Sequence, residues 1–374
     1  MKKLKRFLKW SALALALGLF AWFQFAYWTS TNDCGQLAAS GGETMKAIVY
    51  CDYGAPDVLK LETIAKPVPN DDQVLIKVRA ASVNPYDWHF MRGEPRIMRL
   101  GNGLRKPSGT RMGVDFAGTV EFVGKNITQF KSGDDVFGGR SGAFAEYIVM
   151  SERFLIPKPE SMSFEQAGAV QIAGLTALQG LRDKGKLQAG QKVLINGASG
   201  GVGTFAVQIA KTLGAHVTGV CSTRNVDMVR SLGADHVVDY TKEDFTKAAE
   251  RYDVILDLVG NHGLLAIRRA LTPAGKYVMI GGPAGRWIAP MDTVIGAFML
   301  GPFVKQEMGF MISSVNRDDL MFLRELMQTG KLTPVIDKTY PLNETRDAVA
   351  YVESGRARGK VVITIGDTAS VATR

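Results

Sequence analysis

The sequence has few side chains that bind metals or form disulfides. Its 374 residues include three cysteines and four histidines, namely Cys34, Cys51, Cys221, His89, His216, His236 and His262. The cysteines are too few and too scattered for a disulfide framework or a Cys-x-x-Cys zinc site. The histidines are also far apart, so composition predicts no metal site.

The sequence has no large excess of positive or negative charge outside its first ten residues. The net charge is +9, but five cations lie in this short stretch, at Lys2, Lys3, Lys5, Arg6 and Lys9. The remainder is only mildly basic and carries neither a basic stripe nor a base-stacking motif. We therefore expect no nucleic-acid partner. The length suits one or two globular domains with a substantial core.

A long apolar run occurs near the N-terminus, over residues 10–28, and contains no charged side chain. At about 1.5 Å per helical residue, it nearly matches a hydrocarbon core of about 30 Å. Trp22, Tyr27 and Trp28 at its far end are typical of an interfacial aromatic belt. We therefore expect a basic N-terminus (1–9), a single-pass transmembrane helix (10–28) and a linker (29–44).

Two alternatives to this anchor are a cleaved signal peptide and a buried helix of a soluble protein. The cations before the run place the N-terminus in the cytoplasm by the positive-inside rule. That orientation would put the globular part outside the cytoplasm. It therefore conflicts with the cofactor inferred below from residues 196–224, which is scarce there. The side of the membrane that carries the globular part therefore stays open.

Glycine is abundant, and one glycine-rich stretch organises the globular part. Val193–Ile195 is a short apolar run typical of a buried parallel strand, and the turn Asn196–Gly203 follows it directly. A helical apolar pattern then begins at Thr204. Strand, glycine turn and helix in this order indicate a dinucleotide-binding βαβ unit. A purely structural glycine turn is the alternative.

Each glycine of this turn has an expected role. Gly200 would let the backbone approach a pyrophosphate, and Gly203 would let helix and strand pack closely. The helix N-terminus would face the phosphates. Ala198 stands where the strict G-x-G-x-x-G pattern has its first glycine. The predicted cofactor-binding residues of the turn are Ala198, Ser199, Gly200, Gly201, Val202 and Gly203.

The second strand of this unit ends at residues that favour NADP(H) over NAD(H). Ser222 stands where an NAD enzyme usually has the acid that binds the ribose hydroxyls. Thr223 follows, and Arg224 adds a planar cation suited to a 2′-phosphate. The alternative for Arg224 is a surface residue at the start of the next helix.

The alternation of patterns predicts an α/β protein with two domains. Residues 45–162 are rich in short strands and turns, which indicates a β-rich domain. Residues 163–312 alternate strands with helices, as a doubly wound Rossmann-type parallel sheet does. Residues 313–374 are expected to return to the first domain.

Five motifs together point to a known family. They occur in order as Ser82–Asp87, Gly113–Gly118, Gly133–Phe137, Gly142–Tyr147 and Asn196–Gly203. Over about residues 45–367 the chain resembles the medium-chain dehydrogenase/reductase superfamily, in its zinc-independent quinone oxidoreductase branch. The resemblance implies a GroES-like catalytic domain, split in sequence, around a Rossmann domain. The cleft between them would hold the nicotinamide and the substrate.

The resemblance also implies roles for individual residues. Asn84 and Tyr86 are the expected catalytic residues: the amide would support nicotinamide or substrate, and the phenol would orient a carbonyl or donate a proton. An Asn-Pro turn and a packing residue are their respective alternatives. The backbone of Ile280, Gly281 and Gly282 would contact the nicotinamide carboxamide. Asp87 is interpreted as a local backbone partner.

Zinc is not expected. Zinc alcohol dehydrogenases carry cysteine where Asn84 stands and Gly-His-Glu where Gly113–Asp115 stands, and valine cannot ligate a metal. The expected reaction is hydride transfer from NADPH to a lipophilic quinone, or to an activated C=C or C=O bond, by a membrane-anchored enzyme. An NAD(P)-dependent alcohol dehydrogenase and a non-catalytic NADPH sensor are the alternatives. A homodimer is left open.

The loop over residues 93–111 holds several cations, including Arg96, Arg99 and Arg105. It is interpreted either as a lid that shapes the substrate site or as a basic, solvated surface.

Overall fold

Three β-sheets, with helices packed against them, form the described part of the chain. The computed structural model describes residues 2–32, 34–37, 42–282, 285, 287, 289, 293, 295–297 and 304–366. The strands are β1 Thr44–Val49, β2 Lys60–Ala65, β3 Val74–Val83, β4 Asp115–Val123, β5 Asp135–Gly139, β6 Tyr147–Met150, β7 Leu155–Pro157, β8 Lys192–Asn196, β9 His216–Cys221, β10 His236–Asp239, β11 Tyr252–Asp257, β12 Leu271–Met279, β13 Glu307–Phe310, β14 Ile336–Pro341 and β15 Lys360–Thr364. The α-helices among the described residues are α1 Lys2–Thr29, α2 Pro85–Arg92, α3 Arg99–Asn102, α4 Phe164–Ala167, α5 Gln171–Gln179, α6 Gly201–Thr212, α7 Val226–Ser231, α8 Leu264–Ala270, α9 Arg317–Gln328 and α10 Thr345–Glu353.

The predicted doubly wound parallel sheet is confirmed. Six parallel strands lie in the order β10-β9-β8-β11-β12-β13. Val193, Leu194 and Ile195 of the central strand β8 are fully buried, as expected for a strand covered on both faces. The strand order reverses at β8, and the glycine turn follows this strand. The turn therefore lies at the topological switch point, where open α/β sheets bind ligands.

The second large sheet combines early and late parts of the chain. Seven strands are involved, in the order β14-β15-β3-β4-β5-β7, and β6 pairs with β3. Val361 of β15 pairs with Val83 of β3, so the last described strand lies beside the Asn84 motif. The core under this sheet includes the fully buried Phe116 and Phe144.

A backbone bridge joins the two large sheets at one point. Gly200 of the glycine turn makes an isolated parallel bridge with Gly359, the residue before β15. Because β15 also pairs with β3, this bridge brings the glycine turn close to the end of β3. The C-terminal strand thus lies between the two predicted sites.

Helix α2 was not expected in the strand-rich region. Asn84 is its N-cap, Pro85 occupies its first turn, and Gly93 ends it in the left-handed conformation at φ +59°. These residues are the usual start and stop signals of a helix. The helix has only 8 residues, and Asn-Pro also indicates a turn, so the apolar pattern alone does not identify it.

The predicted transmembrane helix over residues 10–28 is wrong. The segment is helical, within α1, but none of the helices in the described part of the chain is long and apolar enough to cross a membrane. Ser11, Gln24 and the polar N–H and O–H groups of the tryptophans and Tyr27 make the run less apolar than an aliphatic span. The predicted single-pass membrane localisation and membrane partner fall with it.

Two of the three cysteines pair with each other. A disulfide joins Cys34 to Cys51, with Cα atoms 5.9 Å apart, and Cys221 is a free, buried thiol. The bond attaches the segment after α1 to the chain just after β1. Ser30 lies against the 93–111 loop, where its hydroxyl donates to the Lys106 carbonyl over 3.3 Å. A single pair at this spacing gives no framework pattern, which is why the sequence did not indicate it.

Candidate active site

The glycine turn contains two glycines that the fold itself requires. Gly197 has φ +90°, a conformation that favours glycine. At Gly203, a Cβ atom would lie only 2.1 Å from the Gly197 carbonyl oxygen. Both residues are therefore explained by the close packing of the turn and helix α6.

Gly200 is different, because packing within the protein does not require glycine at this position. Gly200 has an ordinary φ of −83°, and a Cβ there would approach nothing closer than the Gly197 oxygen at 3.5 Å. A Cβ on Gly201 would meet the Lys360 Cδ atom at 3.2 Å. No side chain of the described residues caps the N-terminus of α6. The first N–H groups of this helix are therefore available to an anion.

The carboxyl ends of the parallel strands are held together by one buried carboxylate. Asp257 accepts from the Asn196 amide at 2.8 Å and from the Tyr277 hydroxyl at 2.9 Å, as well as from two backbone N–H groups of the following turn. Burial raises the pKa of the Tyr277 phenol, and the Asp257 charge raises it further. The carboxylate is thus a structural tie between β8, β11 and β12.

The segment predicted to contact the nicotinamide is hydrogen-bonded to the backbone of Asp257. Ile280 N–H donates to the Asp257 carbonyl at 2.9 Å, and Gly281 N–H does so at 3.3 Å. A Cβ on Gly281 would lie 2.3 Å from the Leu258 carbonyl, which requires glycine there. Ile280, Gly281 and Gly282 therefore lie at the carboxyl end of the sheet, where the glycine turn also lies.

The predicted 2′-phosphate residues lie at the end of β9. The Asn225 amide donates to Ser199 at 3.0 Å and to Ser222 at 3.2 Å, which joins this segment to the glycine turn. Thr223 donates to Asp239 at 2.6 Å, and this bond is the largest reason that the pKa of Asp239 is lowered to about 2. Thr223 therefore shapes the segment, whereas the Ser222 hydroxyl accepts from Asn225 and can still donate its own O–H to a phosphate oxygen.

Two arginines converge on the same segment. Arg224 donates to the Arg356 carbonyl at 2.9 Å, and Arg358 donates to the Arg224 carbonyl at 3.4 Å. The Nε atom of Arg358 is buried and has no hydrogen-bond partner among the described residues. The sequence interpretation missed Arg358, because its proximity to Arg224 arises only when the C-terminal segment folds back.

Asn84 is buried, and its side chain is engaged inside the protein. Its amide donates to the Ser82 carbonyl at 3.3 Å and to the Asp115 carboxylate at 3.1 Å, and its oxygen accepts from Lys360 at 2.5 Å. Only 2% of Asn84 is exposed. The structure therefore places Asn84 in a polar network beneath the surface, and its predicted contact with nicotinamide or substrate remains a prediction.

Asp115 is the centre of this network. Its carboxylate accepts from the Ser82 hydroxyl at 3.2 Å and from the Ile172 N–H at 3.1 Å, besides the Asn84 amide. Burial raises the pKa of Asp115, whereas the Lys360 ammonium, 3.6 Å away, and these hydrogen bonds oppose that rise. The sequence interpretation used Asp115 only as part of a family motif.

Asp87 is the local backbone partner that the sequence suggested. Its carboxylate accepts from the Asn84 N–H at 2.7 Å across the first turn of α2. Burial raises the pKa of this carboxyl to about 7. Asp87 therefore fixes the turn that carries Tyr86, and it changes charge near neutral pH.

Tyr86 faces a cavity of about 200 Å³ in the strand-rich domain. Its ring stacks on Phe90 with centroids 4.0 Å apart, and 43% of the residue is exposed. Burial of the phenol raises its pKa, so it stays protonated at neutral pH. The cavity is further lined by Tyr50, Tyr53, Asp87, Arg111 and Met112. The two tyrosines at positions 50 and 53 were not among the predicted site residues.

The 93–111 loop forms one wall of this cavity. Tyr53 donates to the carbonyls of Asn102 and Gly103, each at 2.8 Å. Arg99 donates to the Gly93 carbonyl at 2.9 Å and lies over the Tyr53 ring at 4.3 Å. The loop is thus folded onto the site, with at least one of its cations used internally.

Comparison with known proteins agrees with this arrangement. Residues 70–160 match the family model "Alcohol dehydrogenase GroES-like domain", and residues 232–363 match "Zinc-binding dehydrogenase". The chain is 35% identical over 334 residues to the 2-methylene-furan-3-one reductase of Solanum lycopersicum, covering 85% of this chain and 79% of that protein. It is 34% identical over 340 residues to the chloroplastic NADPH-dependent alkenal/one oxidoreductase of Arabidopsis thaliana, covering 87% and 81%.

A solved structure is also similar to this chain. The quinone oxidoreductase from Coxiella burnetii matches with a TM-score of 0.76 and 32% identity, over 87% of this chain and 100% of that one. The fold and site thus define a two-domain nucleotide-dependent oxidoreductase. The chain belongs to the medium-chain dehydrogenase/reductase superfamily, in its quinone oxidoreductase-like branch. The predicted GroES-like and Rossmann-type combination is confirmed.

The two kinds of glycine in the turn should respond differently to alanine. Gly203→Ala forces a Cβ against the Gly197 oxygen and should destabilise the protein by about 3 kcal/mol or more. Gly200→Ala has room for its methyl group and should cost less than about 1 kcal/mol. It should nevertheless weaken NADPH binding about tenfold or more, because the methyl group occupies space left for the ligand. Thermal unfolding and fluorescence titration measure the two effects. Unchanged NADPH affinity in Gly200→Ala would contradict this interpretation.

Asp87 should make stability depend on pH. The folded protein holds this proton up to about pH 7, whereas the unfolded chain releases it near the ordinary value of 3.8. Rising pH therefore favours unfolding across this window, by about 4 kcal/mol at most. The free energy of unfolding should therefore fall between about pH 4 and 7 more steeply, or rise less, in the wild type than in Asp87→Asn. The fully exposed Asp227→Asn is the matched control and should retain the wild-type slope. Parallel slopes in all three proteins would exclude this role for Asp87.

Proposed function

We propose that this protein is an NADPH-dependent oxidoreductase that reduces a quinone or an activated C=C or C=O bond without a metal. The observation that carries the proposal is the open glycine turn. Gly200 has space for a ligand, lies at the switch point of the parallel sheet and is bridged to the strand beside Asn84. The names of the tomato and Arabidopsis relatives describe reduction of unsaturated carbonyl compounds, which supports the same chemistry.

The residues present fit a bound NADPH. The uncapped N-terminus of α6 would hold the pyrophosphate through backbone N–H groups. Ser222 and Arg224 would hold the 2′-phosphate, joined by the unpartnered Nε of Arg358. The backbone of Ile280–Gly282 would hold the carboxamide. When bound, the nicotinamide supplies the hydride.

The protein contributes position and hydrogen bonds to such a reaction. Tyr86 presents a protonated phenol to the cavity, where it can donate to a carbonyl or quinone oxygen as negative charge develops there. Aromatic walls from Tyr50, Tyr53 and Phe90 suit a flat, conjugated and lipophilic acceptor. Asn84 and Asp87 hold the turn that carries Tyr86.

The donor set of the site supports a metal-free reaction. Asn84 and Val114 offer no thiolate or imidazole where zinc relatives are expected to have ligands, and the Asp115 carboxylate is engaged by hydrogen bonds. In the part of the chain that the structure describes, no group of three or more His, Cys, Asp or Glu side chains is placed to hold a metal. Quinones and enones accept hydride without a strong Lewis acid, because conjugation spreads the developing charge.

Activity assays test the reaction. NADPH oxidation should be clear with quinones and alkenals and weak with simple ketones, and a chelator should leave the rate unchanged. Elemental analysis should give no stoichiometric zinc. A preference for alcohols with NADP⁺, together with no activity on quinones or enones, would assign an alcohol dehydrogenase instead. Stoichiometric NADPH binding without turnover of any acceptor would assign a sensor.

Arg224 tests the cofactor preference. Arg224→Ala should raise the KM for NADPH about tenfold or more, and should leave the KM for NADH nearly unchanged, because only NADPH carries the 2′-phosphate. Arg346→Ala on α10 is a suitable control, since that side chain is 59% exposed and bonds only to its neighbour Asp347 among the described contacts. Steady-state kinetics with both cofactors measure the effect. Equal losses with NADPH and NADH would remove the 2′-phosphate role from Arg224.

A further inference from the structure

A buried lysine lies between the proposed cofactor turn and the proposed substrate site. Lys360 is the first residue of β15, and its side chain is only 2% exposed. Its stem passes the start of α6, as the 3.2 Å approach of Cδ to a Cβ built on Gly201 shows. Its ammonium ends at the Asn84 oxygen, 2.5 Å away. Burying a cation at this place costs free energy unless hydrogen-bond acceptors and opposite charges compensate it.

The lysine allows only one orientation of the Asn84 amide. The oxygen of Asn84 faces the Lys360 ammonium, and the NH₂ group faces the Asp115 carboxylate at 3.1 Å. The reverse orientation would place NH₂ against an ammonium and oxygen against a carboxylate, which leaves both contacts repulsive. Lys360 and Asp115 together therefore determine how Asn84 is held.

The orientation of Asn84 bears directly on Tyr86. Asn84 is the N-cap of α2, and its N–H donates to Asp87 while Tyr86 lies between them in the first turn. Holding the side chain of Asn84 therefore anchors the start of the helix that presents the phenol to the cavity. The pairing of Val361 with Val83 keeps β15 in register for this contact.

We propose that Lys360 is a positioning residue that acts through Asn84 to hold the Tyr86 turn in place beside the cofactor turn. The predicted effect on the reaction rate rests on the proposed oxidoreductase function. The predicted effect on how Asn84 is held does not. Two carboxyl groups act on the lysine from the packed elements, Asp115 on β4 and Asp87 on α2, and in their ionised forms both favour the ammonium form. Burial opposes that form, which lowers the pKa of Lys360.

A double-mutant cycle tests this role in the full-length enzyme. Lys360→Met retains the stem beside Gly201 and removes the ammonium, so kcat/KM for the quinone or alkenal should fall about tenfold or more. The dissociation constant for NADPH should change less than about threefold. In an Asn84→Ala background, Lys360→Met should cost less than about twofold further, because its target is already absent.

Lys360→Met leaves Asp115 without its cation and could therefore unfold the protein. Lys360→Met combined with Asp115→Asn removes both charges and keeps an oxygen for the Asn84 amide, and Asp115→Asn alone is its matched control. Circular dichroism and thermal unfolding establish which variants are folded. A tenfold loss of NADPH affinity with unchanged kcat would make Lys360 a cofactor contact and overturn the proposal. Full additivity with Asn84→Ala would overturn it as well.

A measurement without turnover separates this inference from the proposed function. In protein labelled with ¹⁵N-asparagine, the side-chain NH₂ signal of Asn84 is assigned by its loss in Asn84→Asp. Its hydrogen exchange should be slow in the wild type and at least tenfold faster in the doubly substituted protein than in Asp115→Asn. Equal exchange rates in these two variants would refute the positioning role even in an active enzyme. Fast exchange in the doubly substituted variant would support it even if no acceptor were reduced.

Discussion

The carboxylate of Asp115 has to be satisfied without water, and this constraint brings four chain segments together. Its oxygens accept from Ser82 at the end of β3, from the N–H of Ile172 on α5 and from the Asn84 amide, while Lys360 on β15 supplies the opposing charge. β3, β4 and β15 belong to the seven-stranded sheet, whereas α5 packs against α6, the helix that follows the glycine turn. Removing one partner would leave a buried charge poorly paired, so the network holds the two halves in one arrangement.

A second carboxylate performs a similar task inside the Rossmann-type domain. Asp257 joins β8, β11 and β12 through Asn196, Tyr277 and the backbone of the next turn. The carboxyl ends of these strands are therefore rigid where the cofactor segments begin. The glycine turn adds what side chains cannot, namely backbone N–H groups at a helix N-terminus that no side chain of the described residues caps.

The proposed chemistry follows from this division of labour. The Rossmann-type half offers backbone groups and cations suited to a phosphorylated dinucleotide, and the strand-rich half offers an aromatic cavity with a protonated phenol. Neither half offers, in its described residues, a group of ligands placed for a metal. An acceptor that spreads its own negative charge suits such a site better than an alcohol, which benefits from a Lewis acid.

The sequence by itself determined the local elements, because their signals are local. The run Val193–Ile195, the glycine turn and the strand His236–Asp239 could be identified from apolar pattern and turn residues alone. The same local reasoning failed for residues 10–28, where length and lack of charge suggested a span that the described helix is not apolar enough to make. It also passed over α2, whose short length hides its apolar face.

The tertiary structure alone decided which residues meet. Lys360 and Asn84 are 276 positions apart, and Arg358 is 134 positions from Arg224. No pattern in sequence marks these pairs, because each depends on the C-terminal strand inserting next to β3 and the glycine turn. The sequence thus named the cofactor turn and the Asn84 motif. Only the fold showed that a buried lysine connects them, since burial and charge pairing are properties of the packed chain.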